Sequence, residues 1–240
     1  MKTKKKAKIK KYSILDLKPT QFAVGMLEVD EKIAALKSLT EKQFKKSIQE
    51  TVVPVVRSPN GQLYVVDRHH FLSVCYHLDI DEVSVEIVKD FKGSKLTYRQ
   101  FWTWMQKQRN CFLYCQFGSG PHQEFYLPRD VRGLADDPYR SLAWFVRKAG
   151  GFENSDKNFA EFLWANFFRG KKLLNHQGIA GFENALVKAV HLAQSPAAKH
   201  LPGFGKLKID EQNLLEKKAR KKVKKYRKRF IERAVVASAK

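Results

Sequence analysis

Between Tyr64 and Leu78 the chain reads YVVDRHHFLSVCYHL. An acid, a guanidinium and two imidazoles, Asp67, Arg68, His69 and His70, stand between an apolar run and a run with helical spacing. Where a strand hands over to a helix, an aspartate is suited to capping, its carboxylate accepting backbone N–H bonds from about His69 or His70. The N–H groups of that first turn point at whatever lies in front of them, and phosphate oxygens can satisfy several at once. The helix dipole contributes only about 0.3–1 kcal/mol to such an attraction. Arg68, an imidazole or a more distant cation must supply the rest. Neighbouring helical residues project about 100° apart, so His69 and His70 cannot face one small ligand equally. A carboxylate beside imidazoles also suits general-base work, worth roughly 10²–10⁴-fold in a proton-transfer step. A plain cap followed by two polar surface residues would carry the same letters.

A second group, Thr20, Gln21, Gly25, Glu28 and Lys32, precedes and opens a helical pattern. Glu28 and Lys32 are four apart with the acid first, so they share a helix face. They suit a surface ion pair, or a base or metal ligand beside a phosphate cation. Gly25 permits a turn or a close backbone approach. Farther on, Arg140 and Ser141 occupy the first turn of a helix that Asp137 can cap and Pro138 can begin. They could meet phosphate there; the alternative pairs Arg140 with Asp136 or Asp137. Metal binding by His69, His70, Cys75 and His77 matches no regular zinc spacing, and no protein metal site is expected. Cys75, Cys111 and Cys115 are odd in number and form no CxxC pair, which marks them as reduced packing residues.

The elements that must hold these groups are legible in outline. Ile14 to Leu17 suggests a short strand, broken by Pro19. Val29, Ile33, Leu36 and Leu39 predict a helix from about Glu28, and a second follows over Thr40 to Gln49. VVPVV and LYVVD, separated by Ser58-Pro59-Asn60-Gly61, predict a hairpin, and Val83 to Val88 another strand. Beyond Thr97 the pattern is mainly helical: FWTWMQKQ, a helix from Pro138 ended by Gly150 or Gly151, then Phe159 to Arg169 and Phe182 to Ala193. The fold class expected is α+β. A basic tail over 1–11 precedes a small mixed-sheet α/β unit over 12–96. A helical subdomain over 97–205 and a long basic C-terminal helix over 206–240 follow.

The order KPTQxxVGxxEV, DRHH after a hairpin, LADDPYRSLAWxVRxxGGF, FxEFLWANFFR and LPGF resembles the ParB-like family of the ParB/sulfiredoxin superfamily, the group named for ParB-like nucleases. The resemblance runs from about residue 13 to 205. It implies that the turn at Asp67–His70 cradles nucleotide phosphates. The superfamily includes CTP-hydrolysing partition proteins, free-serine kinases, sulfiredoxins and DNases. VDRHH is similar to the VDGHHR stretch of the serine kinases, with Arg68 where they have glycine and Phe71 where they have arginine. Their catalytic glutamate follows a Lys-Pro pair, whereas Lys18-Pro19 here leads to Gln21, which leaves Glu28 as the candidate base. No thiol stands beside the turn for sulfiredoxin chemistry, and neither GERR nor a helix-turn-helix is evident.

The formal net charge of +22 is concentrated at the ends: residues 1–11 and 206–240 together hold +17. The intervening body must therefore be read on its own chemistry. Its function is expected to be that of a nucleotide-dependent phosphotransferase or NTPase, using Mg²⁺ with a nucleoside di- or triphosphate. Asp67, His69, His70 and Glu28 are its candidate catalytic groups, and Arg68, Thr20, Gln21, Gly25, Lys32, Arg140 and Ser141 its candidate binding groups. The alternative is a ParB-like nuclease or a sequence-insensitive DNA- or RNA-binding protein that grips the backbone through its basic ends. A noncatalytic module retaining the fold is the third. No apolar run approaches the ~20 residues of a membrane span and no secretory signal is evident, so the cytosol is the expected compartment.

Overall fold

The computed structural model describes residues 9–174, 178–205 and 221. Two compact units divide between Asp136 and Asp137. The first carries, in chain order, β1 (Lys10–Ser13), β2 (Leu17–Lys18), β3 (Ala23–Val24), α1 (Met26–Lys37), α2 (Glu41–Glu50), β4 (Val52–Arg57), β5 (Leu63–Val65), α3 (His69–His77), β6 (Glu82–Asp90), α4 (Tyr98–Lys107) and β7 (Ala135–Asp136). The second contains α5 (Pro138–Ala149), α6 (Ala160–Gly170) and α7 (Gly178–Ala193). The architecture is α+β.

Five strands form a mixed sheet in the order β1-β6-β4-β5-β2, and β3 pairs with β7 as a separate parallel ribbon. The expected hairpin is present, with Val55 opposite Val65 and Arg57 opposite Leu63. Because side chains alternate along a strand, its residues sort onto two faces. Val53, Val55, Leu63, Val65, Val83 and Val85 meet Ile48 of α2 and Leu72 and Cys75 of α3. Val56 and Tyr64 instead meet Phe101, Trp102 and Met105 of α4. That packing carries the first unit past the break expected at residue 97, since α4 covers a sheet face that would otherwise be wet. Thr40 and Thr97 start α2 and α4 with reciprocal capping boxes to Gln43 and Gln100.

Two local expectations change. Lys10 and Lys11, expected in a mobile tail, sit in β1 opposite Val85 and Ser84. Ile14–Asp16 is a 3₁₀ turn rather than a strand, because the Ser13 hydroxyl accepts the Leu15 N–H at 3.3 Å and bends the chain. The C-terminal helix expected over 206–240 lies, apart from Lys221, outside the described residues.

In the second unit, α5 begins and ends where its sequence marks it. Asp137 Oδ1 accepts from the Tyr139 and Arg140 N–H groups at 2.9 and 3.1 Å. Pro138 opens the helix, and Gly150 closes it at φ 89°. Trp164 of α6 stacks on Phe152 with centroids 4.2 Å apart and donates its indole N–H to Pro202 O at 2.8 Å. Glu153 N–H donates to Gly203 O at 2.8 Å, so the LPGFG segment is bound back beside the end of α5. Gly203 has φ +75°, and a Cβ there would collide with the Glu153 carbonyl. Gly203→Ala is expected to destabilise this unit by about 2 kcal/mol or more. Urea denaturation followed by tryptophan fluorescence measures it.

Candidate functional site

The turn into α3 differs from a simple aspartate cap. Asp67 Oδ1 accepts the N–H of Arg68, the next residue, at 2.7 Å. The N-cap position belongs to Arg68, which adopts the left-handed conformation at φ 76°, ψ 20°. Asp67 and Arg68 face solvent, with side chains 72% and 55% exposed and only a loose 3.9 Å ion pair between them. Position 68 is where the serine-kinase motif has glycine, and the backbone here has the sign of φ that glycine adopts without strain. Arg68 thus holds a cation at the mouth of the turn at a conformational cost of about 1–2 kcal/mol.

The two imidazoles are buried, and the angle between neighbouring helical positions sends them to different segments. His69 Nε2 accepts the Thr20 backbone N–H at 3.1 Å. The Thr20 hydroxyl donates to Val65 O at 2.5 Å, and its Oγ1 lies 3.4 Å from the same ring nitrogen. His70 Nε2 accepts the Gly25 N–H at 3.0 Å and lies 3.3 Å from Glu28 Oε2. Since an imidazole nitrogen that accepts carries no proton, His69 holds its proton on Nδ1 while its bond to Thr20 persists. Burial alone pushes the His69 pKa down to about 3, which keeps that ring neutral at any ordinary pH.

Gly25 is the N-cap of α1 and has no side chain to satisfy the first turn. His70 takes its N–H, and Asp136 Oδ1, from β7, takes that of Met26 at 2.9 Å. Buried Glu28 lies in that same turn and forms an ion pair with Lys32 at 2.6 Å. The Gly25–His70 hydrogen bond therefore joins the N-terminal ends of α1 and α3, with Glu28 beside it and part-exposed Lys32 paired to Glu28. His70 Nε2 faces partners of opposite kind, since the amide needs its lone pair while the carboxylate would need a proton on it.

The cluster brings together Thr20, Gly25, Glu28, Lys32, Asp67, Arg68, His69 and His70. Gln21 turns away: its Nε2 donates to Ala23 O at 2.6 Å, and its backbone bridges to Phe112. Arg140 and Ser141 are buried in the second unit, where Arg140 pairs with Glu161 and lies over the Phe162 ring. Asp137 Oδ2 binds Arg169 at 2.7 Å. Sequence reasoning missed the role of Asp136, whose only signal is the Asp136-Asp137 doublet. Among the described residues no three His, Cys, Asp or Glu side chains converge as a metal site.

A family model described as "Putative ParB-like nuclease" matches residues 10–170. The chain belongs to the ParB-like family. This ParB-like protein is also similar in structure to protein Atu1540 from Agrobacterium tumefaciens, whose crystal structure superposes with a TM-score of 0.75 at 29% sequence identity. The alignment covers 85% of this chain and 99% of that one. No curated protein matches. No helix among the described residues of the ParB-like chain is long and apolar enough to cross a membrane.

The buried imidazole of His69 makes stability depend on pH with a definite sign. The unfolded chain takes up a proton below about pH 6.5, whereas the folded one resists until about pH 3. The contribution is complete above about pH 6.5 and falls with acidification by about 1.4 kcal/mol per pH unit. His69→Gln, which keeps an acceptor but cannot titrate, is expected to lose about 2 kcal/mol less than wild type between pH 6.5 and 5 in urea denaturation. Arg68→Gly is expected to raise the midpoint at neutral pH, because relief of the left-handed strain exceeds the added freedom of the unfolded chain by up to about 1 kcal/mol.

Proposed function

We propose that the first unit binds the phosphates of a nucleoside di- or triphosphate, carried with Mg²⁺, at the joined N-terminal ends of α1 and α3, and acts as a phosphotransferase or NTPase. The observation that carries this is the Gly25 N–H bond to His70 Nε2, which holds two helix starts together beside Lys32 and Arg68. Two partial positive ends, with Lys32 on α1 and Arg68 at the start of α3, suit a polyanion. Arg68 supplies the forked cation for phosphate oxygens, and Lys32 the compact one.

Glu28 is the base in this mechanism. Phosphate arriving at Lys32 draws the ammonium from the carboxylate, and Glu28 then accepts the proton of the hydroxyl or water that attacks phosphorus. His69 and His70 position the Thr20 and Gly25 backbone and transfer no proton themselves. Asp67 is the exposed carboxylate available to a metal ion. Mg²⁺ bound with the nucleotide would neutralise phosphate charge, and Asp67 is the side chain that would help to hold it.

Calorimetric titration with ATP, ADP and CTP, each with Mg²⁺, tests the proposal. Wild type is expected to bind at least one of them, and Arg68→Ala to bind it about 10-fold or more weakly, the loss of one charge-assisted hydrogen bond. Glu28→Gln is expected to retain binding while losing phosphate release. Absence of heat with every nucleotide overturns the assignment.

A second function, nuclease action or sequence-insensitive nucleic-acid binding, is favoured by the family's description and the net charge of +22. About eight phosphate contacts would give a log–log salt slope near −7. Nucleic-acid affinity that ignores salt removes this alternative, and cleavage that survives Asp67→Ala combined with His70→Ala argues that the cluster does not cut.

A further inference from the structure

A second chemical cluster lies in the loop after α4, in the sequence CQFGSGPH from Cys115 to His122. Cys115 Sγ is 3.2 Å from Ser119 Oγ, which is 3.2 Å from His122 Nε2. Backbone bonds hold the loop closed: Cys115 N–H to Ser119 O at 2.9 Å, Gly118 N–H to Cys115 O at 2.9 Å, and His122 N–H to Leu113 O at 2.7 Å. Gly120 lies so close to the chain opposite that a Cβ would come within 2.6 Å of Leu113 O. The His122 ring packs edge-on against Phe22 with centroids 5.5 Å apart, which fixes its orientation. The main chain, not chance rotamers, therefore aligns thiol, hydroxyl and imidazole.

The three cysteines, all free thiols, differ in their surroundings. Cys75 is in the core, and Cys111 packs against the α4 cluster. Burial pushes each of those thiols up to about 12. At Cys115, partial burial raises the pKa, but the polar groups around it, Ser119 and His122 foremost, outweigh it and bring the thiol down to about 7. A thiol with a pKa near ambient pH is the best attacker of disulfides, because it is substantially ionised and still nucleophilic.

We propose that Cys115, Ser119 and His122 form a reactive-thiol site that exchanges with low-molecular-weight disulfides to give a mixed disulfide on Cys115. The thiol proton passes to Ser119 Oγ as the Ser119 proton passes to His122 Nε2. The thiolate attacks one sulfur of the incoming disulfide, so that the new S–S bond forms as the old one breaks. The departing thiolate recovers the proton from His122 through Ser119. Cys115 is oxidised, the released sulfur is reduced, and one thiol leaves for one consumed. Cys75 and Cys111, held protonated by burial, are poor resolving partners, so the adduct persists until an external thiol removes it. This site is independent of the nucleotide assignment.

Peptide mass spectrometry of the full chain after timed exposure to glutathione disulfide, and to iodoacetamide across about pH 5 to 10, tests the site. Cys115 is expected to form the glutathione adduct and to alkylate at least roughly ten-fold faster than Cys75 or Cys111, with a rate midpoint near 7. Ser119→Ala, which deletes one oxygen and keeps the backbone bonds, is expected to move that midpoint toward the ~8.5 of an ordinary thiol. His122→Asn is expected to do the same. A wild-type midpoint already in the ordinary range overturns the proposal, as does one that neither substitution moves.

Discussion

Two buried imidazoles, set against backbone amides, hold the first unit's chemistry in place. His69 and His70 leave α3 about 100° apart, and each ends on a backbone N–H that no secondary structure would satisfy, at Thr20 and at Gly25. A buried amide without an acceptor costs about 1–3 kcal/mol, so the pair secures the path of the chain between β2 and α1. A charged imidazole has no lone pair to offer at Nε2, and the bond to Thr20 therefore depends on a neutral His69. At position 69 burial enforces that neutrality.

The division of labour across the tetrad follows from this. Residues 67 and 68 are outside and carry charge; residues 69 and 70 are inside and carry geometry. Glu28 lies between the two regimes, buried but linked to a part-exposed lysine. A pairing of that kind is weakly stabilising at best, which leaves it open to exchange with a stronger anion. The unusual backbone at Arg68 belongs to the same design, since a long cation stands where the turn would more easily accept glycine.

Much of this was legible in the chain, for identifiable reasons. The hairpin, α2, α4 and α5 announce themselves through caps, turn residues and periodicity, and Asp137, Pro138 and Gly150 act as their types dictate. Thr20, Gly25 and Glu28 stood out as a second candidate group, and the fold brings them against His69 and His70. What the letters could not convey was direction. Asp67 looks like a cap, but the left-handed residue after it shifts the helix start by one position. The imidazoles look presented when they are enclosed. Arg140 stands in a first turn that looks ready for phosphate, yet its side chain is buried against Glu161 and the Phe162 ring. The Cys115 cluster went unread because its members are joined by a loop whose closure depends on backbone contacts rather than on any periodic pattern.

The paired acceptors also set a rule for length. The six positions from Thr20 to Gly25 span two anchor points on consecutive residues of a rigid helix. Adding or removing one residue between the anchors would leave one amide without its ring, and an insertion at the start of α3 would swing both rings off target by about a quarter-turn or more. Among natural relatives, this interval should therefore tolerate substitution far better than insertion or deletion, while the loops outside it drift in size.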